Sequence, residues 1–414
     1  MNTFKIEVSK LQQVRTKKLT FKGETKEMPV YRIPINILFY NDQNGRIATS
    51  ISKYKSEGMD FSAMSFEGYN NLIERLIKES ASPDSYNNTL RDIQNSSQKE
   101  PGVVLTDGRV IDGNRRFTCL RQLFRENGND EKYKYFEAVV LDAPEEDDIN
   151  GWKAINTLEL ELQIGTDEKV GYNPIDWLVK VYYDVVKTKS YGEKEYCRLT
   201  KMTGSEFRET KIKAEIMEEF LEFFNKKEQF YIAKYLKLDG PLTELAHLKK
   251  KLSPERWKEV RPTFFVYLNV IREGDKSRNI RNLIKKIDDE DFEKLIIQSG
   301  KDAERLKEDK NAMLVKEAKE DHALPVPAQN EGDMVYKVLV DNILKKQGKE
   351  KAITKPVKCC KDAINALEQI DEELVAKLNK PEILEEYKKL LAEIYTKVSQ
   401  LIENEPVSTN EDLE

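Results

Sequence analysis

The stretch Thr106 to Leu123, TDGRVIDGNRRFTCLRQL, decides how the chain is read. Val103–Leu105 and Arg109–Ile111 flank Asp107-Gly108, the turn pair of a tight β-hairpin. After Gly113 the apolar period becomes that of a helix, with Phe117, Leu120 and Phe124 on one face. A hairpin therefore delivers Asp112-Gly113-Asn114 to a helix start. Glycine lets the backbone turn and approach a ligand closely. The first amides of that helix lack an internal acceptor and sit at the positive end of its dipole, which suits an anion. Arg115 and Arg116 fall in the first turn, where cations oppose the dipole. A cation pair there makes sense if it holds phosphate. The plainer reading pairs both arginines with surface carboxylates and leaves the turn a simple cap.

Upstream, Met28 to Phe39 is strand-like and ends in the polar turn YNDQNGR. Phe66 to Ser80 has helical spacing, with Leu72, Ile73, Leu76 and Ile77 sharing a face. Ala81 to Gln98, rich in Ser, Asn and Asp, predicts loop plus a short helix. Phe136 to Leu141 is a further strand. From about Asp147 the pattern is helical, beginning at Asn173-Pro174 for one helix and broken at Gly240-Pro241, Ser253-Pro254 and Arg261-Pro262. Ala323 to Asp333 reads as a linker. Ile364, Leu367, Ile370, Leu374 and Leu378 form one stripe, Pro381 breaks it, and Ile383 to Leu401 forms another, the pattern of a helical hairpin. The terminal VSTNEDLE is expected to fray. The expected division is an α/β domain over 1–145, a helical domain over 146–228, another over 229–322, a linker over 323–333 and a C-terminal helical module over 334–414. The fold class is α+β followed by a mostly helical remainder.

Composition narrows the function. The chain has 414 residues, 69 Lys plus Arg against 74 Asp plus Glu, and net charge -5, which argues against a globally basic nucleic-acid coat but leaves room for a local patch. With 16 Phe, 18 Tyr and 3 Trp it can build cores. No apolar run approaches the roughly 18 residues of a membrane span, so no membrane partner is expected. Four cysteines, two of them adjacent at Cys359 and Cys360, fit a reducing cytoplasm rather than a disulfide framework. Two distant histidines, His247 and His322, without a CxxC, give no zinc pattern, and no GxxxxGK[ST] loop occurs.

VIDGNRRFTCLRQL resembles the signature box of the ParB/sulfiredoxin-like superfamily, whose ParB members carry Gly-Glu-Arg-Arg at a strand-to-helix turn. Ile33 to Ile47, IPINILFYNDQNGRI, resembles the first ParB box. Leu160 to Tyr182, LELQIGTDEKVGYNPIDWLVKVY, is similar to the third. Glu193 to Leu221 then lies where ParB proteins carry a helix-turn-helix. The likeness covers roughly the first 225 residues. It implies a bacterial or phage protein whose ParB-like domain binds a nucleotide, typically CTP, and holds DNA as a dimer. By resemblance Gly113, Asn114, Arg115 and Arg116 would hold phosphates, Arg46 would position the nucleotide, and Glu161 would be a carboxylate for magnesium. The Glu of Gly-Glu-Arg-Arg is Asn114 here. The acidic-Asn metal pair is Leu160-Glu161. A sulfiredoxin needs cysteine at the loop, so that chemistry is rejected.

In the helix-turn-helix reading, the second helix would present Ser205, Arg208, Lys211 and Lys213 to the DNA major groove. An ordinary helical hairpin is the competing reading, because acidic and basic residues balance there. The basic run Arg272 to Lys286 could contact phosphates but reads more simply as a solvated face. The two C-terminal stripes suggest homodimerisation, or docking onto the chain's own helices. Two further functions stay open. One is an enzyme on the same fold, a nucleotide-dependent kinase, phosphohydrolase or nuclease, with Asp112 or Glu161 as catalytic candidates on a metal. The other is a non-catalytic partner-binding protein of a mobile element or defence system.

Overall fold

The computed structural model describes residues 5–128, 130–164, 172–270, 275–308, 355–376 and 380–403. Two compact units divide the chain, Met1–Val340 and Asp341–Glu414. The first opens with a six-stranded mixed sheet: β1 (Gln12–Phe21), β2 (Glu24–Pro34), β3 (Phe39–Tyr40), β4 (Gly102–Leu105), β5 (Arg109–Asp112) and β6 (Tyr135–Leu141). Their spatial order is β1-β2-β6-β4-β5-β3. β6 runs parallel to β4 and β3 parallel to β5, and the other neighbours are antiparallel.

The period of two along the central strands feeds two cores. Val104, Val110, Phe136 and Ala138 face one side of the sheet, while Val103, Leu105, Ile111, Val139 and Leu141 face the other. The first side is covered by α1 (Ala48–Ser56), α2 (Phe66–Ser80), α3 (Pro83–Ser96) and α4 (Asn114–Glu126). Ile155 and Leu158 of α5 (Ile149–Ile164) cover the second. α4 is pinned to α2 by charge as well as by packing. Arg121 Nε donates to Glu74 Oε2 at 2.8 Å, Arg125 Nη1 donates to the same oxygen at 3.0 Å, and both Arg121 and Glu74 are buried.

The helical remainder of this unit starts with α6 (Pro174–Val181), which continues as a π-helical turn over Tyr182–Lys187. Then come α7 (Glu193–Thr200), α8 (Gly204–Phe223), α9 (Tyr231–Tyr235), α10 (Asp239–Lys251), α11 (Pro254–Val270), α12 (Lys276–Ile284) and α13 (Glu290–Glu308). In the second unit the described part of α14 covers 355–368, followed by α15 (Glu372–Ala376) and α16 (Pro381–Glu403). No helix among the described residues is long and apolar enough to cross a membrane.

Several expectations are corrected. β1 and its hairpin with β2 carry no strong sequence signal, because the strand is mostly solvent-facing and buries only Leu19. α3 is a full helix of 14 residues, started by Ser82 and Pro83. Arg261-Pro262 does not end α11. Pro262 lies inside the helix, which is held by buried Val260, Phe264, Phe265 and Tyr267. The C-terminal stripe breaks before Pro381, at residues 369–371, where Asp371 Oδ1 accepts from the amide of Glu373 at 2.9 Å and starts α15. The linker at 323–333, Leu378 and the terminal VSTNEDLE lie outside the described residues.

Candidate anion site at the β5–α4 turn

β5 ends at Asp112 and α4 begins at Asn114, so the whole change of direction falls on Gly113. Its φ of 91° is left-handed, and a Cβ there would lie 2.9 Å from Phe136 Cζ. Only glycine occupies such a position without strain. It offers no capping side chain, and the first bond of the helix runs from the Phe117 amide to the Gly113 carbonyl at 2.9 Å. The amides of Asn114, Arg115 and Arg116 precede that bond and have no intrahelical acceptor.

These amides open on a cavity of about 810 Å³. Asp112, Gly113, Asn114, Arg115 and Arg116 line one side, with Lys17 of β1 beside them. Ile77 of α2 and Thr89, Asp92 and Ile93 of α3 line it too, as do Arg46, Glu100 and Gln163. Five residues of the sequence reading, Arg46, Gly113, Asn114, Arg115 and Arg116, therefore meet at one cavity, as does the catalytic candidate Asp112.

Their roles differ. Arg116 is occupied: Nη2 donates to Asp112 Oδ2 at 3.0 Å, and Nη1 donates to the Glu100 carbonyl at 2.9 Å. Among the described residues Arg115 has no carboxylate partner. Its Nη1 donates to Ser85 Oγ at 2.6 Å, and burial together with the charge of Arg46 lowers its pKa from the usual guanidinium value. Among the described residues Arg46 also lacks a carboxylate partner, and its guanidinium lies 5.1 Å from the centre of the Tyr172 ring. Asn114 is 7% exposed, and its Oδ1 has no hydrogen-bond partner among the described residues. Lys17, which sequence reasoning missed, donates to the Pro101 carbonyl at 2.7 Å, and burial lowers its pKa. Nothing local marks this lysine, because β1 is some 95 residues away from the turn by chain.

Behind Gln163 lies a second polar layer. Gln163 Nε2 donates to Glu159 Oε1 at 2.9 Å, and Tyr172 Oη donates to Gln163 Oε1. Glu159 is 4% exposed, and burial pushes its carboxyl up to about 7 against the pull of Lys180. Lys180 in turn reaches Asp184 on the π-helical turn at 3.2 Å.

Glu161 is not part of this arrangement. Two residues further along α5 than Glu159, it faces another direction, pairs with Arg198 at 3.5 Å and lines a separate cavity of about 340 Å³ with Lys22 and Lys153. Asp112 is held by Arg116. Asp112 and Glu161, the alternative candidates for a metal carboxylate, thus stand in different cavities, and among the described residues no group of three or more His, Cys, Asp or Glu side chains gathers as a cation site.

The two-helix segment forms with the expected turn: Thr203 caps α8 through a reciprocal arrangement with Glu206. Ser205 is exposed in the first turn of α8. The three basic candidates are all paired, Arg208 with Glu193 at 2.5 Å, Lys211 with Glu215 at 3.7 Å and Lys213 with Asp239 at 2.7 Å. In the basic run, Arg281 pairs with Glu244 and Arg278 with Asp275, and residues 271–274 lie outside the described chain. Comparison with protein-family models and with curated proteins finds no match for the chain.

Proposed function

We propose that the cavity at the β5–α4 turn binds the phosphates of a nucleotide, CTP by the resemblance, and that the chain is a ParB-like DNA-binding protein switched by that nucleotide. The observation that carries the reading is the pair Arg46 and Arg115. Two partly buried guanidinium groups line one cavity, and among the described residues neither has a carboxylate partner. Like charges held out of water without a counterion are costly, and an anion between them removes that cost. The free amides at the start of α4 point to the same kind of ligand. A recess of about 810 Å³ matches the size of small-molecule sites and suits a free nucleotide better than the continuous backbone of a duplex.

DNA contact is assigned to the exposed start of α8 around Ser205, with Arg208, Lys211 and Lys213 following it. Because those three cations are already paired, contact with DNA phosphates requires them to leave their carboxylates. Self-association is assigned to α16, whose Leu384, Tyr387, Leu391, Ile394, Val398 and Leu401 repeat at alternating steps of three and four, the spacing of a coiled-coil seam.

The test is equilibrium binding of labelled CTP, ATP and GTP to the full chain, with and without magnesium, beside Arg115→Ala. Loss of one charge-assisted contact, about 1.5–3 kcal/mol, predicts affinity lower by roughly ten- to a hundredfold. Binding of no nucleotide, or equal binding by the variant, would sink the phosphate assignment. DNA binding that responds to nucleotide in the wild type alone is the expected switch behaviour.

A further inference from the structure

We infer that Tyr172, which does not line the cavity, is a positioning residue of the anion site: it holds the Arg46 guanidinium in place while leaving its charge free for the ligand. The inference rests on the phosphate reading above and adds a residue from the helical segment to it. Three observations carry it. The Arg46 guanidinium lies over the Tyr172 ring at 5.1 Å. A stack on an aromatic face restrains a guanidinium without neutralising it, and leaves the N–H edge of the group available to planar oxyanions. A carboxylate partner would restrain it equally well but cancel the charge.

The ring and the backbone of the Arg46 turn are also pressed together. A Cβ on Gly45 would lie 3.0 Å from Tyr172 Oη and 3.1 Å from its Cε1, so the glycine permits the approach. Finally, the ring is itself fixed. Its hydroxyl donates to Gln163 Oε1, Gln163 lines the cavity and is tied to buried Glu159, and Trp177 packs edge-on against the ring at 5.7 Å. The chain of contact runs from the interior of the helical segment to a cationic group at the cavity.

The experiment measures binding of inorganic tripolyphosphate and of CTP to the full-length protein for wild type, Tyr172→Leu, Tyr172→Phe, Arg46→Ala and the Tyr172→Leu/Arg46→Ala double variant, with melting temperatures alongside. Tyr172→Leu is expected to weaken both probes by roughly three- to thirtyfold, the range of a cation–π contact at a partly buried site. Tyr172→Phe keeps the ring face and is expected to retain most of the affinity. In the Arg46→Ala background the leucine substitution is expected to have no further effect, because both changes remove the same contact. A loss of equal size in that background, or wild-type binding by Tyr172→Leu, overturns the inference while leaving the phosphate site standing. Failure of the wild type to bind either probe overturns both. If Tyr172→Leu does not fold, Gly45→Ala displaces the same pair and goes through the same cycle with Arg46→Ala, and the same outcomes decide.

Discussion

Glu159 shows how one residue's environment becomes measurable. Burial raises its carboxyl to about 7, against an ordinary value near 4.5. Between those two values the folded chain keeps a proton that the unfolded chain gives up. Stability from this group therefore falls as pH rises through that window and is level above it, a loss on the order of 3 kcal/mol. Glu159→Gln mimics the protonated form and removes this dependence. Urea unfolding at pH 5 and pH 8 is expected to show the variant gaining on wild type by up to about 3 kcal/mol at the higher pH. Parallel loss in both proteins would refute the assignment. The same residue explains what the sequence could and could not tell about the site. Asp112, Gly113, Asn114, Arg115 and Arg116 are contiguous, and a strand-to-helix turn is enough to bring them together. Glu159 and Gln163 are one turn apart on α5 and share a face, whereas Glu161 between them turns away to Arg198. A resemblance aligned by motif selects the acidic residue. Helical period, once the helix is fixed, selects its neighbour. Lys17 and Tyr172 carry no local signal, because each reaches the site only through tertiary packing.

At the scale of elements, legibility follows burial. The edges of α2 are legible in the sequence because Leu72, Ile73, Leu76 and Ile77 all point inward and Ser65 caps the start. α3 reads as loop plus a short helix because its Ser, Asn and Asp residues are turn formers and Ile93 is its only fully buried side chain. Pro262 reads as a break because proline removes a helical hydrogen bond, yet the buried face of α11 outweighs that loss. The element that matters most for the site is α4, whose N-terminus faces the cavity and whose later turns are clamped to α2 through Glu74. Glu74→Ala strips that carboxylate from buried Arg121 and from Arg125. Removing one partner of a buried ion pair costs about 3–5 kcal/mol. Chemical denaturation should show a loss of that size, together with weaker nucleotide binding if the clamp sets the direction of α4. A loss below about 1 kcal/mol would place the cluster with surface ion pairs.

For the whole molecule, the two units call for different arguments. The first carries the sheet, both of its cores and the cavity. The second exposes apolar side chains in quantity: in α16, Leu390, Tyr395, Leu401 and Ile402 are all more than half exposed, and no residue of this helix is buried. A face of that kind needs a partner. If the partner is a second copy, sedimentation will give twice the chain mass, and Leu391→Glu together with Ile394→Glu will return it to monomer with nucleotide binding intact. A monomeric wild type at micromolar concentration would reject the dimer and leave the stripe to another surface.

The sheet itself has a further consequence. One edge is β1, which places Arg15, Lys17 and Lys18 within ten residues and carries a register irregularity between Gln13 and Arg15. The other is β3, only two residues long. β3 is too short to template a foreign strand, and the ten-residue β1 is blunted by its basic side chains and its register irregularity. Strand-by-strand aggregation, the standing hazard of an open sheet, is opposed at both edges of this one. What self-recognition the chain has is left to side-chain surfaces, where its specificity can be set residue by residue.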